Sequence, residues 1–189
     1  KQIYDYNKKS FNIVGKVDLT NSKVDISKLN YIKDSGKKSE INFDFNFILN
    51  NYYEIKKLVF LSDKTKIYTS SLKLNKNFEI ADFSKFEIKT FKNKNKNNDF
   101  LVKKSNQVTI LGEIFDAEPL LKSLFKKDDG KTFSKKFSNK IKINFDKVVT
   151  GTNDDVSDFG MIATINQGSY VKLSLKGNFT ENEIIEMSI

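Results

Sequence analysis

The carboxylates are the side chains here with the most chemical potential, and their spacing limits what they can do. Asn153-Asp154-Asp155 with Asp158 is the densest group and has the composition of a calcium loop. It lacks the regular spacing and the glycine of an EF-hand, so a solvated turn accounts for it. Asp128-Asp129 is a weaker instance of the same kind. Asp44 and Asp146 fall on polar positions of alternating stretches, and nothing in the sequence brings them together as a glycosidase pair. Asn178-Phe179-Thr180 spells a glycosylation acceptor, which a turn at a strand end explains equally well. The chain has no cysteine and no histidine. Thiol nucleophiles, disulfides, histidine-paired triads and most zinc sites are thereby excluded. The expectation is a protein without catalytic residues, metal or cofactor.

Charge points to few partners. The net charge is +9, and all 33 basic residues are lysine. Nucleic-acid binders draw on arginine for bidentate contacts to phosphate and guanine. A single-strand binder would also set aromatics beside basic residues on one face. Here the phenylalanines share parity with aliphatic residues instead. No nucleic acid is expected; solvated lysines on exposed strand faces account for the charge, and a weak attraction to anionic headgroups is compatible with it.

The remaining chemistry is apolar. In Ile41-Asn42-Phe43-Asp44-Phe45-Asn46-Phe47 the odd positions are oily and the even ones polar, and Leu49 continues the odd row. On a pleated strand such a row lies on one face. Ile41, Phe43, Phe45, Phe47 and Leu49 are therefore candidates to line a path for acyl chains, or else to pack as an ordinary core. Val108 and Ile110, then Ile141, Ile143 and Phe145, then Val171, Leu173 and Leu175 repeat the pattern and complete the candidate path.

Period-2 alternation recurs along most of the chain. Phe11, Ile13, Val17 and Leu19 share one parity, Val108, Ile110 and Ile114 align around Gly112, and Phe159, Met161, Ala163 and Ile165 form another row. Phe179 extends the row of Leu173 and Leu175, and Ile185, Met187 and Ile189 end the chain. Turn signals such as Ser62-Asp63-Lys64 and Gln167-Gly168-Ser169 separate the rows, which predicts antiparallel strands in a meander. Residues 92–98, all Lys and Asn, read as a loop. One segment breaks the rule: residues 116–126 have helical spacing, with Leu120, Leu121, Leu124 and Phe125 on one face, Asp116 as N-cap and Pro119 in the first turn. Residues 126–140 read as a flexible linker. The first ten residues contain no apolar signal region, and no apolar run approaches the roughly 18 residues of a membrane span. Any anchor is expected outside this chain.

The run from Val108 through Gly112, Phe115, Asp116, Ala117, Glu118, Pro119, Leu120 and Leu121 to Leu124 and Phe125 resembles a signature of AsmA-like envelope proteins, in their YhdP-type branch. There a strand ending in glycine is followed by Phe-Asp-Ala-Arg-Pro-Leu-Leu, a short helix and a polar linker. Leu173-Ser174-Leu175-Lys176-Gly177-Asn178-Phe179 resembles the family's later apolar-Gly-x-Phe segment. Glu118 stands where the family commonly has Arg, so no role of that Arg transfers. The resemblance implies a mainly β protein, a long twisted antiparallel meander curled into an open groove with one short helix. Residues 1–189 would be a single segment of a larger chain, pairing at its last strand with flanking segments. It further implies a periplasmic, inner-membrane-anchored protein of a Gram-negative bacterium that shields phospholipid acyl chains between the two membranes, without enzymatic activity. The alternative is a non-enzymatic β-rich scaffold or adhesin-like module with a closed core.

Overall fold

Alternating sequence gives strands almost throughout. The computed structural model describes residues 1–5, 9–48, 52–125, 137–152, 154–180 and 183–189. Among these the protein is mainly β, with one short α-helix. It divides into two compact units: Lys1–Asp25 with Ile32–Thr90, and Ile26–Tyr31 with Phe91–Ile189.

The first unit contains β1 (Gln2–Asp5), β2 (Ser10–Asp18), most of β3 (Val24–Ile26) and β4 (Tyr31–Lys33), then β5 (Glu40–Ile48), β6 (Tyr53–Ser62), β7 (Thr65–Leu74), β8 (Ile80–Asp82) and most of β9 (Lys85–Lys92). Its strands lie side by side in the order β1-β2-β5-β6-β7-β9, with β8 also beside β7, and these pairings are antiparallel. Between β3 and β4 the chain makes a 3-10 turn, Ser27–Leu29, that belongs to the second unit.

The second unit contains β10 (Asn95–Lys104), β11 (Val108–Asp116), α1 (Glu118–Phe125), β12 (Asn139–Val149), β13 (Val156–Asn166), β14 (Ser169–Thr180) and β15 (Glu183–Ser188), in the lateral order β10-β11-β12-β13-β14-β15. Among the described residues, the last strand of neither unit pairs back onto its first, so neither closes into a barrel.

Four expectations need correction. Residues 92–98 are not a loop: Asn93 and Lys94, at φ 51° and 68°, make a two-residue turn into β10. Two successive left-handed residues are what a tight hairpin with the native strand twist requires, and asparagine is among the side chains that best tolerate them. Second, the meander is not antiparallel throughout. β11 and β12 run parallel, from Val108 opposite Ile141 to Asp116 opposite Val149. Parallel neighbours need a long crossover, and the stretch containing α1 supplies it. Third, the linker ends earlier than residue 140, because Asn139 and Lys140 already belong to β12; residues 126–136 lie outside the described residues. Fourth, the helix begins at Glu118, two residues after Asp116, which is the last residue of β11. Asp116 still serves the helix end, since its Oδ1 accepts the Glu118 N–H at 3.2 Å.

Candidate functional site: the apolar faces

On β5 the odd side chains find apolar partners on both neighbouring strands. Across to β2, Phe47 faces Phe11, Phe45 faces Ile13 and Ile41 faces Val17. Across to β6, Ile41 faces Phe60, Phe43 faces Leu58, and after a bulge at Lys56, Phe45 faces Ile55 and Phe47 faces Tyr53. β7 extends the rows with Ile67, Leu72 and Leu74. Phe43 faces Gly15, where a Cβ would come within 2.6 Å of the Phe43 ring, so the glycine leaves room for that ring to lie across the strand. Ile41, Phe43, Phe45 and Phe47 are half-buried, while Ile55, Phe60 and Leu72 are buried. Leu49 lies outside the described residues.

The opposite face of this unit is polar and laced with charge pairs. Asn12 Nδ2 donates to Asp44 Oδ1 at 2.6 Å, Lys16 pairs with Glu40 at 2.5 Å, and Lys66 and Lys85 both pair with Glu87. Both lysines also lie over the Tyr68 ring, 5.7 Å from its centroid. Glu87 and Glu40 are held below the usual carboxylate range, chiefly by hydrogen bonds from these lysines. A surface hollow of about 660 Å³, lined by Lys37, Lys38, Glu40, Leu61 and Asp63 among others, mixes both signs of charge and presents no single-sign field.

The second unit repeats the one-sided arrangement. Val108, Ile141, Ala163 and Leu173 form one row, and Ile110, Ile143, Met161, Leu175 and Met187 the next. At its centre Ala117, Phe145, Val148 and Val156 are buried, with Leu121 from α1 packed against them. Phe100, Phe115 and Phe145 stand 5.3–5.7 Å apart, two pairs edge-on and one stacked. Leu120, placed by its spacing on the helix's buried face, is instead 49% exposed.

Three apolar positions leave the rows to which alternation assigned them, each at a bulge. Val171 is the extra residue between the pairs Thr164–Lys172 and Ile165–Tyr170, and it is 54% exposed. Phe179 is extra between the pairs of Asn178 and Thr180, and it too is exposed. On β11 the extra residue is Glu113, so beyond it Phe115, not Ile114, joins the core side. A bulge adds one residue and inverts the parity of everything after it.

None of the described carboxylates singled out from the sequence converges with others. Among the described residues no group of three or more His, Cys, Asp or Glu could hold a metal ion. Asp155 takes an ion pair from Lys147 at 2.8 Å and the Thr150 N–H at 3.3 Å. Asp158 accepts from Asn178 at 3.3 Å, Asp146 is exposed, and Asn153, Asp128 and Asp129 lie outside the described residues.

Two buried polar groups went unremarked in the sequence. Asn98 is fully buried; its Nδ2 donates to the Leu29 carbonyl at 2.8 Å and its Oδ1 accepts the Asp116 N–H at 3.0 Å. Asn97 donates to Leu29 and to Asp116 Oδ2, and Asn30 bridges Asp116 Oδ2 and Glu118 Oε2, both at 2.9 Å. This amide clasp fixes the 3-10 turn to the start of α1. Glu118 completes it with Lys92 at 3.2 Å and Lys122 at 2.5 Å, and hydrogen bonds from Lys122 and then Lys92 lower its pKa to about 2. Lys33, only 1% exposed, spends its ammonium on the carbonyls of Leu19 and Thr20 and on Ser39 Oγ, which satisfies all three donors. Both arrangements are fully hydrogen-bonded and therefore hold loops in place rather than await a ligand.

No family model matches the sequence, and no curated protein or solved structure is matched by it. No helix among the described residues is long and apolar enough to cross a membrane.

Proposed function

We propose that this chain is a non-enzymatic segment of an AsmA-like, YhdP-type envelope protein. In this reading its apolar sheet faces shield phospholipid acyl chains on their way between the inner and outer membranes. The supporting observation is the contiguous apolar face of the first unit, which runs over β2, β5, β6 and β7 with ion-paired polar residues behind it. Along β5 the row from Ile41 to Phe47 is about 20 Å long, a length on which an extended acyl chain can lie. Each methylene moved from water onto such a surface contributes about 0.8 kcal/mol, so a dozen contacts hold a chain without any specific polar recognition. The headgroup stays at the lysine-bearing margin, and the remainder of the parent protein supplies the periplasmic setting, the inner-membrane anchor and the strand that pairs with the outer edge of β15.

The experiment is purification from detergent-free lysate followed by mass spectrometry of extracted lipid. Phospholipid should accompany the wild-type chain and be lost from a folded Phe45→Asp variant. A lipid-free wild type would sink the proposal and leave the non-enzymatic β-rich scaffold as the better reading.

A further inference from the structure

At one end of the first unit's apolar face the chain spends conformational energy to keep an aromatic ring in water. Phe78, in the turn between β7 and β8, has φ +60° and is 64% exposed. That is a left-handed conformation which a bulky residue rarely adopts and which persists only where its surroundings enforce it. The enforcement is visible. Asn75 Oδ1 accepts the N–H groups of Asn77 and Glu79 at 2.9 and 3.0 Å, its Nδ2 holds Glu79 Oε2 at 2.8 Å, and its carbonyl accepts the Phe78 N–H at 3.0 Å. Two residues on, Ile80 is 60% exposed. The ring is also continuous with the apolar face behind it. Phe78 stacks on Tyr53 with centroids 4.7 Å apart and planes 2° from parallel, Tyr53 meets Phe47 edge-on at 5.4 Å, and Phe47 lies 4.7 Å from Phe45.

We propose that residues 75–80 form a membrane-contact tip, at which Phe78 and Ile80 enter the interfacial layer of a phospholipid bilayer. The proposal rests on the acyl-chain role of the apolar face and gives that face a mouth. Size decides between a bilayer and a protein partner. The two side chains expose roughly 200–250 Å² together, against the roughly 800 Å² per partner that a stable protein interface buries. An area this small suits weak, reversible insertion into a lipid surface. Lys76 and Glu79 offset each other within the turn, while Lys73 lies over the Tyr52 ring at 5.2 Å and the chain carries net +9, which favours an anionic leaflet. Aromatic rings beside lysine amines are the residues that settle at the headgroup level of membranes.

The chain has no tryptophan, so a single introduced one reports its own surroundings. Phe78→Trp and, as control, Ile162→Trp, at a 60% exposed position of the second unit, are each mixed with vesicles of phosphatidylethanolamine and phosphatidylglycerol, with and without brominated acyl chains. Phe78→Trp should shift to the blue and be quenched by bromine, while Ile162→Trp should not. The double variant Phe78→Ser/Ile80→Ser, checked for fold by circular dichroism, should lose about tenfold or more in vesicle partitioning. Equal quenching of the two tryptophans, or none, overturns the tip. So does a self-association in light scattering that the double variant abolishes, because the patch would then belong to a second copy. Binding of a lysophospholipid below its micelle concentration by the wild type separates this proposal from the one it rests on. Lysolipid bound with Phe78→Trp unquenched refutes the tip alone. Lysolipid unbound with Phe78→Trp quenched refutes the acyl-chain face and leaves a membrane contact.

Discussion

Gly112 leaves no room for an added methyl group. A Cβ built there would fall 2.4 Å from Phe100 Cβ, 2.5 Å from the Asp99 carbonyl oxygen and 2.8 Å from Phe100 Cα. Two of those three atoms are backbone, at the bulge where β10 changes register against β11. Neither can swing away like the end of a flexible side chain, so relief means displacing a strand ladder by a sizeable fraction of an ångström. Overpacking of this kind costs about 1–3 kcal/mol, while replacing glycine by alanine recovers about 0.4–1 kcal/mol from the unfolded chain. Gly112→Ala should therefore destabilise by about 1–2 kcal/mol, which lowers the Tm by roughly 2–8 °C in a protein of this size. Gly160→Ala is the matched control two strands away. Its new Cβ would meet only Asn144 Nδ2, at an ordinary 3.4 Å, so stability should change by less than about 0.5 kcal/mol or rise. Thermal and urea unfolding followed by far-ultraviolet circular dichroism read both. A Gly112→Ala protein as stable as the Gly160→Ala protein would refute the close-approach argument, and with it the register assigned to β10 and β11.

Two further predictions concern the edges of the same unit. Glu118 has its pKa lowered from 4.5 to about 2 by Lys122 and Lys92, so its ionised form stabilises the folded protein fully above pH 4.5, and that contribution is lost as pH falls toward 2; Glu118→Gln should lower the Tm at pH 7 and narrow the gap to wild type on acidification, and a gap independent of pH would count against the triad. Lys94 occupies the second left-handed position of its hairpin turn at φ 68°, so Lys94→Gly should stabilise by about 0.5–1 kcal/mol, read as a higher urea midpoint, with a lower midpoint contradicting the turn geometry.

What the sequence conveyed about the fold came through periodicity, and it failed where periodicity is interrupted. The rows Ile41–Phe43–Phe45–Phe47 and Ile141–Ile143–Phe145 are uninterrupted, and each lies on one face as alternation requires. Val171, Phe179 and Ile114 departed because a bulge inverts parity, and no residue type at Val171 or Glu113 signals an extra residue. The stretch at residues 92–98 misled in the other direction: its composition is that of a loop, yet Asn97 and Asn98 are buried because their amides meet Leu29 and Asp116, partners far away in sequence. Lys33 is the same case, a charge whose burial depends on carbonyls that only the folded chain assembles. The strand–helix–strand order from Val108 onward was legible, but its meaning as a parallel crossover was not, since hairpin and crossover strands share one period.

Parallel pairing of β11 with β12 also orders the folding of the second unit in time. β13 and β14 meet across the two-residue turn Gln167-Gly168, and β12 and β13 across a short connection, so those ladders close small loops within microseconds. β11 reaches β12 only after a crossover of roughly twenty residues has been drawn closed, an entropic cost met before any bond between them repays it. The β10–β11 hairpin, joined across residues 105–107, closes as readily, so two preformed pieces, β10–β11 and β12–β13–β14, dock along the parallel seam of β11 and β12. If so, the strain of Gly112→Ala, which lies within the β10–β11 hairpin, is already felt at the rate-limiting docking step, and stopped-flow chevrons should show a slowed folding arm beside an almost unchanged unfolding arm; a faster unfolding arm alone would place the β10–β11 contact after that step instead.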